Sequence, residues 1–133
     1  MLAAVLAGQA SAQNAATLVS ASGYGNFHAG GVVATIAGDT DQDASVALEF
    51  RRAGAPVFRA AQPLVRISPT TFTGSLFGLS PGGNLEARVT LTDPDGVSGA
   101  ATQTTTLATR SPLFAEPSVQ TLFVAPGGDD GGP

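Results

Sequence analysis

Residues 78–96, GLSPGGNLEARVTLTDPDG, combine a tight turn with a run of strictly alternating apolar and polar side chains. Pro81 fixes its own φ angle, and the glycines after it accept positive φ values, so Ser-Pro-Gly-Gly is a turn sequence. In the run that follows, apolar residues stand at every second position: Leu85, Ala87, Val89 and Leu91. Side chains of a β-strand return to the same face with this period. The stretch therefore predicts a turn that leads into a strand with one buried face, and Asp-Pro-Asp-Gly predicts a second turn after it.

The same period of two dominates the chain from residue 29 to residue 110, between clusters of Gly, Pro, Asp and Asn. Further predicted strands are TLVSAS (17–22), GVVATIAG (31–38), SVALEFRR (45–52), TFTGSLFGL (71–79) and ATQTTTLAT (101–109). Residues 57–67 contain Pro63, which cannot donate to a strand ladder, so an edge strand or two short strands flanking a kink are expected there. About seven strands within residues 15–110 predict an all-β domain with two packed sheets.

Residues 74–91, GSLFGLSPGGNLEARVTL, resemble the strand-turn-strand of a fibronectin type III domain, in which a Gly-Leu-x-Pro-Gly turn precedes a strand that starts with Tyr. The resemblance implies a seven-stranded antiparallel β-sandwich of the immunoglobulin-like class. In that family the Tyr hydroxyl bonds back to the turn. Leu85 stands at this position, so about 1 kcal/mol is forfeited if nothing replaces the bond. The resemblance also implies that Phe50, in the family's third strand, fills the core.

The first residues, MLAAVLAGQASAQ, contain a short apolar run that ends in Ala10-Ser11-Ala12. This small-x-small pattern is what a signal peptidase recognises, so residues 1–12 are interpreted as a signal-peptide remnant. The run has no basic residues before it, and an apolar N-terminal tail remains the alternative. The mature protein is expected to be secreted or extracellular, with the periplasm as an alternative, and no segment has the length of a membrane span.

Residues 111–120, SPLFAEPSVQ, are bounded by prolines and have no period, which is typical of a linker. Residues 121–133, TLFVAPGGDDGGP, are similar to the opening of secreted right-handed parallel β-helix proteins, including polysaccharide lyases, where Tyr-Val-x-Pro-x-Gly-x-Asp leads into the first coil. Val124, Pro126, Gly128 and Asp129 match, and Phe123 replaces the Tyr. The likeness implies a truncated β-helix domain whose catalytic residues lie beyond residue 133.

Composition excludes several classes of function. The chain has no cysteine, which excludes disulfides, thiolate metal sites and a Cys nucleophile. Its net charge is −4, it has no lysine, and its six arginines are scattered. Nucleic-acid binding needs clustered basic residues, so a nucleic acid is not expected as a partner.

Few side chains are candidates for chemistry. His28 is the only histidine, and a triad or a His-based metal site needs partners that the sequence does not supply. Asp39, Asp41 and Asp43 alternate as at the start of a calcium loop, without the Gly and Glu of an EF-hand. Calcium binding and a solvated acidic loop both remain open for them.

Two other pairs of residues have competing interpretations. Asp93 and Asp95 would act as a general acid and base only in a cleft, and we expect a turn to expose them. Tyr24 and Phe27 are the only aromatic residues expected to be exposed in an early loop, where they would stack on a sugar ring or plug the core. No catalytic, cofactor-binding or metal-binding residue is predicted, and no cofactor is expected.

Three functions are consistent with these patterns. The leading hypothesis is a non-catalytic spacer or docking module of an exported bacterial protein, N-terminal to a polysaccharide-related β-helix domain that is its partner within the same polypeptide. The first alternative is a module that binds a carbohydrate or a cell-surface partner. The second is a fragment of a polysaccharide lyase or hydrolase whose active site lies beyond the chain.

Overall fold

The computed structural model describes residues 14–113 of the 133-residue chain. The predicted signal-peptide remnant (1–12), most of the predicted linker (111–120) and the predicted β-helix segment (121–133) lie outside the described residues. This described part contains eight strands: β1 (Thr17–Gly25), β2 (Ala29–Ala37), β3 (Ser45–Arg52), β4 (Arg59–Ala60), β5 (Val65–Ser68), β6 (Thr71–Phe77), β7 (Asn84–Thr92) and β8 (Thr102–Ala108). Within these residues the structure contains no helix with the length and hydropathy of a membrane span.

The strands form two antiparallel four-stranded sheets, with the orders β1-β2-β6-β5 and β4-β3-β7-β8. Apart from the two-residue strand β4, this is the order of a constant-type immunoglobulin domain, in which the first, second, fifth and fourth strands form one sheet and the remaining three form the other. The predicted all-β, immunoglobulin-like sandwich is therefore confirmed.

Residues 15–110 form eight strands where about seven were expected, because residues 57–67 contribute two. β4 is the edge of one sheet and β5 is the edge of the other, and Pro63 lies in the segment that crosses between them. The prediction of two short strands flanking a kink is confirmed. Pro63 has no N–H to donate, so a position between two sheet margins leaves no ladder hydrogen bond unmade.

The core lies between the sheets and consists of the alternating residues predicted from the sequence. In β7 the four apolar residues are all buried, with exposures of 0–6%: Leu85, Ala87, Val89 and Leu91. In β2 the inward residues are Val32, Ala34 and Ile36. The polar residues between them face outward, because successive side chains of a strand point to opposite faces.

Phe50 packs against the core but is not enclosed by it, so the expectation that it fills the core is met only in part. It is half-buried near the end of β3, where it pairs with Arg59 of the short edge strand β4. A two-residue strand covers too little of this margin to enclose a ring. Phe72 of β6, which is 2% exposed, is the aromatic residue that is fully buried in the core formed by residues 14–113.

The chain enters the sandwich at one end and leaves it at the other. At the first end, the N–H of Ala16 donates to the carbonyl of Gly96 at 3.2 Å, next to the β7–β8 loop. At the second end, the N–H of Arg110 donates to the carbonyl of Asn26 at 3.1 Å, and the N–H of Gly82 donates to the carbonyl of Arg110 at 3.0 Å. The nine-residue strands β1 and β7 connect the two ends.

Candidate functional site

Five aspartates lie together at the end where the chain enters. Asp39, Asp41 and Asp43 belong to the β2–β3 loop, and Asp93 and Asp95 belong to the β7–β8 loop. The two loops meet because β3 and β7 are antiparallel neighbours, which pair Ser45 at the start of one with Thr92 at the end of the other.

Asp39 is an anchor of its loop and is not solvated. Its side chain is 1% exposed, and its carboxylate accepts hydrogen bonds from Arg66, from the Asp43 N–H at 3.1 Å and from the Ala44 N–H at 3.3 Å. Arg66 in turn lies 4.4 Å above the ring of Phe72. Both oxygens of Asp39 are therefore occupied by the protein, so the interpretation of this residue as part of a solvated acidic run is wrong.

Asp93 is buried as well, although it was expected at an exposed turn tip. The turn itself is confirmed, since Gly96 has a φ of 104° and its N–H donates to the Asp93 carbonyl at 3.0 Å. The side chain, however, folds inward until the residue is only 7% exposed, and Asp93 Oδ1 accepts the Asp95 N–H at 2.7 Å. The pairing of Ala16 with Gly96 and Val97 covers the turn.

Two carboxylate oxygens at this end are buried without a donor. Among residues 14–113, the buried side-chain oxygens that lack a hydrogen-bond partner are Asp93 Oδ2 and Asp95 Oδ2. A buried oxygen without a donor costs about 1–3 kcal/mol, and more when it is charged. The two atoms therefore mark a place where the folded chain does not satisfy its own polar groups.

Asp43 joins the two loops into one cluster. One carboxylate oxygen from each of Asp43, Asp93 and Asp95 lies within 4.8 Å of the others, and the same holds for Asp39, Asp41 and Asp43. Desolvation by the surrounding chain raises the pKa of Asp43, and the charges of Asp41, Asp93 and Asp39 raise it further.

Asp95 experiences the same crowding of negative charge. A side-chain hydrogen bond with Asp41 is the largest cause that raises the pKa of Asp95, followed by desolvation and by the charge of Asp41. The negative charge of this cluster is lowered by binding either a proton or a cation.

In the sequence the two acidic loops look unrelated. The signal that would have joined them is the pairing of β3, which follows the first loop, with β7, which precedes the second.

His28 lies at the opposite end of the sandwich, where it connects two turns. Its Nδ1 donates to the carbonyl of Leu79 at 3.1 Å, and the N–H of Leu79 donates to the carbonyl of His28 at 3.0 Å. The first turn joins β1 to β2 and the second precedes β7. These contacts assign a structural role to His28.

Tyr24 lies within β1 and not in a loop. Its ring is 63% exposed and covers the backbone of Gly31, where an added Cβ atom would lie 2.1 Å from the ring carbon Cζ. Phe27, in the turn after β1, is half-buried. The expected exposure in an early loop is therefore met by Tyr24 only in part, since Tyr24 is exposed but lies in a strand, while Phe27 is half-buried. Outside this region, Phe77 at the end of β6 is 77% exposed.

A groove with a volume of about 520 Å³ lies near the end where the chain leaves the sandwich, between the end of β3 and the turn before β7. Three of its lining residues are basic: Arg51, Arg52 and Arg59. Arg51 is paired with Glu86 at 2.5 Å, and Arg52 donates to the hydroxyl of Ser80 at 3.3 Å. The groove therefore has a basic wall, part of which is neutralised by the protein.

No protein-family model and no curated protein sequence matches the chain. Among solved structures, it is similar to the sensor domain of the anti-sigma factor RsgI4 of Pseudobacteroides cellulosolvens, with 14% identity over 78% of this chain and 96% of that one and a TM-score of 0.49. A solution structure of the same sensor domain is 12% identical over 81% of this chain and 92% of that one, also with a TM-score of 0.49. Murine CRIg is 15% identical over 72% of this chain and 98% of that one, with a TM-score of 0.43. The fold assignment rests on the strand order of the two sheets.

Proposed function

We propose that residues 15–110 are a non-catalytic spacer or docking module of an exported bacterial protein, placed ahead of a polysaccharide-related β-helix domain. The observation that carries the proposal is the position of the two ends of the sandwich. The chain enters beside Gly96 and leaves beside Asn26, at opposite ends of the nine-residue strand β1. At 3.3 Å per residue, such a strand holds the segments attached at the two ends of the module about 30 Å apart.

The hydrogen bonds at the two ends support a rigid separation. Ala16 pairs with the β7–β8 loop through two backbone hydrogen bonds, to Gly96 at 3.2 Å and from Ser98 at 2.8 Å. Arg110 is held between Asn26 and Gly82. Both points of attachment, Ala16 and Arg110, are therefore fixed to the sandwich by backbone hydrogen bonds.

A distance measurement between the two ends tests this proposal. The chain has no cysteine, so Asn14→Cys and Ser111→Cys introduce a unique pair of sites for spin labels. We expect one narrow distance distribution near 30–40 Å, the length of a nine-residue strand plus the label arms. The matched control, Asn26→Cys with Ser111→Cys, places both labels at the same end and is expected to give a much shorter distance. A broad distribution for the first pair would contradict a rigid spacer.

The non-catalytic part of the proposal is supported by His28, which forms hydrogen bonds with the backbone of Leu79. In this proposal, any lyase or hydrolase activity of a longer polypeptide belongs to residues after position 133. A lyase assay on the 133-residue chain and on a longer polypeptide that includes the β-helix domain tests it. Turnover by the shorter chain would contradict it.

A second candidate function is carbohydrate binding, which the geometry of Tyr24 favours. One face of its ring covers Gly31, and the side chain is 63% exposed, so a sugar ring has an apolar surface on which to stack. Pull-down on insoluble polysaccharides tests it, with Tyr24→Ala and Phe27→Ala as loss variants and Phe77→Ala as the control for an exposed ring elsewhere. Retention that depends on Tyr24 but not on Phe77 supports binding; no retention of the unmodified chain contradicts it.

A further inference from the structure

We propose that Asp43, Asp93 and Asp95 bind a calcium ion, with Asp41 as a further ligand, at the end of the sandwich where the chain enters. This site does not depend on the spacer function. The first observation is a distance, since one carboxylate oxygen from each of the first three residues lies within 4.8 Å of the other two. Two oxygens that each lie about 2.4 Å from the same ion are at most about 4.8 Å apart, so the spacing fits a shared cation.

The second observation is the unsatisfied oxygen of Asp93. This residue is only 7% exposed, its Oδ1 is used by the Asp95 N–H, and its Oδ2 is buried without a donor. Asp95 Oδ2 is also buried without a hydrogen-bond donor. A bound cation would supply the missing partner to both atoms. Burial of a carboxylate is costly unless it is paired or coordinates a metal.

In the part of the chain that the structure describes, no arginine forms an ion pair with these three residues. Across residues 14–113, the ion pairs within 4.0 Å are Arg51–Glu86, Arg66–Asp39 and Arg88–Glu49. Arg66 approaches this end, but its guanidinium contacts Asp39, on which the β2–β3 loop depends. Asp39 therefore holds the loop in place, while the remaining aspartates face one another.

The donor set selects the kind of cation. All the candidate ligands are carboxylates on two loops, and His28 lies at the other end of the sandwich, so the nitrogen and sulfur donors typical of zinc are not among them. Calcium accepts six to eight oxygens in flexible geometry, whereas magnesium demands near-ideal octahedral geometry and retains water. A cluster of aspartates from two separate loops fits calcium better.

Calorimetric titration of the 133-residue chain with CaCl2, after removal of metal with a chelator, tests the proposal. We expect one calcium ion per chain and a melting temperature that rises with the calcium concentration, because a ligand that binds only the folded state stabilises it. In a two-dimensional NMR spectrum, the shifted amides are expected in residues 39–44 and 93–97. The affinity for Mg²⁺, measured in the same way, is expected to be lower.

Asp93→Asn removes one charge and preserves the shape of the side chain. We expect it to weaken calcium binding at least about tenfold, because even the loss of a group that only supports a metal ligand typically lowers metal affinity by about that factor. Glu49→Gln is the matched control: it removes one charge within β3, outside the two acidic loops, and we expect unchanged affinity. Asp95→Asn, at a less buried position, repeats the test if Asp93→Asn does not fold.

Four results would overturn the proposal. Two concern calcium itself: no heat and no thermal shift on titration, or an unchanged calcium affinity in the folded Asp93→Asn or Asp95→Asn variant. The other two are amide shifts confined to the acidic residues after position 113, and equal affinities for Mg²⁺ and Ca²⁺.

Discussion

Thr109, just after β8, and Gly83, just before β7, hold each other through reciprocal hydrogen bonds. The Gly83 N–H donates to Thr109 Oγ1 at 2.8 Å, and the Thr109 N–H donates to the Gly83 carbonyl at 2.9 Å. Thr109 Oγ1 also donates to the carbonyl of Ser80 at 2.6 Å. A fibronectin type III-like domain secures this turn with a Tyr hydroxyl, which Leu85 lacks. The bond that was expected to be forfeited is thus replaced from a strand end that is remote in the sequence.

Thr109→Val is expected to lower the free energy of unfolding by about 1–2 kcal/mol, because the valine keeps the volume but leaves the Ser80 carbonyl and the Gly83 N–H without their partner. Urea denaturation measures the change. Thr104→Val is the control, since Thr104 is exposed on the outer face of β8 and its replacement should change stability by less than about 0.5 kcal/mol. Equal midpoints for the two variants would contradict a role of Thr109 in the turn.

Arg66→Met is expected to be the more damaging of two arginine substitutions. It removes the cation from Asp39, whose side chain is 1% exposed, and breaking such a pair costs about 3–5 kcal/mol. Arg59→Met at the exposed edge strand β4 is the control. Adding Asp39→Asn to Arg66→Met should recover part of the loss, and the double-mutant cycle gives the interaction energy. If Arg66→Met and Arg59→Met unfold at the same denaturant concentration, the ion pair does not stabilise the loop.

Phe58→Leu tests a stack on the outer face of the second sheet. The ring of Phe58 lies 4.2 Å from the guanidinium of Arg51 and 4.1 Å from that of Arg88. Two cation–π contacts of about 0.5–1 kcal/mol each predict a loss of about 1–2 kcal/mol of stability, measured by thermal or chemical denaturation. Phe77→Leu makes the same change in a ring that is 77% exposed and is expected to be nearly neutral. Similar losses for both variants would argue against the stack.

The acidic cluster predicts a pH dependence of the metal-free protein. Folding raises the pKa of Asp43 and Asp95, so between the unfolded and folded values the native state binds more protons than the unfolded chain. The stability that these groups contribute is therefore fully present below the unfolded pKa, about 3.9, and is lost as the pH rises through the folded values.

Melting temperatures in the presence of a chelator measure this dependence. At neutral pH we expect the double variant Asp43→Asn/Asp95→Asn to have a higher melting temperature than the unmodified chain, because it lacks the repulsion between the negative charges of these aspartates and their neighbours. The difference should shrink as the pH falls toward about 4, where the aspartates become protonated. Comparison with the variant cancels any pH dependence that the two chains share. A difference that stays constant with pH would be inconsistent with raised pKa values.

Local features of this protein were determined by the sequence alone. The alternation from Leu85 to Leu91 predicts β7 and its buried face, Pro63 predicts a break at a sheet margin, and Gly96 predicts a turn. Each depends on the conformational preferences of a few neighbouring residues. The strand count, and with it the two-sheet class, comes from the repetition of such local patterns.

The site was decided only by the tertiary structure. Asp43 and Asp93 are far apart in the chain, and they meet because β3 and β7 pair in antiparallel register. A solvated loop was one of two interpretations of Asp39, and Asp93 was expected to be exposed. Each is instead buried by a segment remote from it, Asp39 by Arg66 and Asp93 by the pairing of Ala16 with the β7–β8 loop. The burial of a side chain and the charges around it depend on contacts with residues that are distant in the sequence. The alternation of residues within one strand carries no information about those contacts.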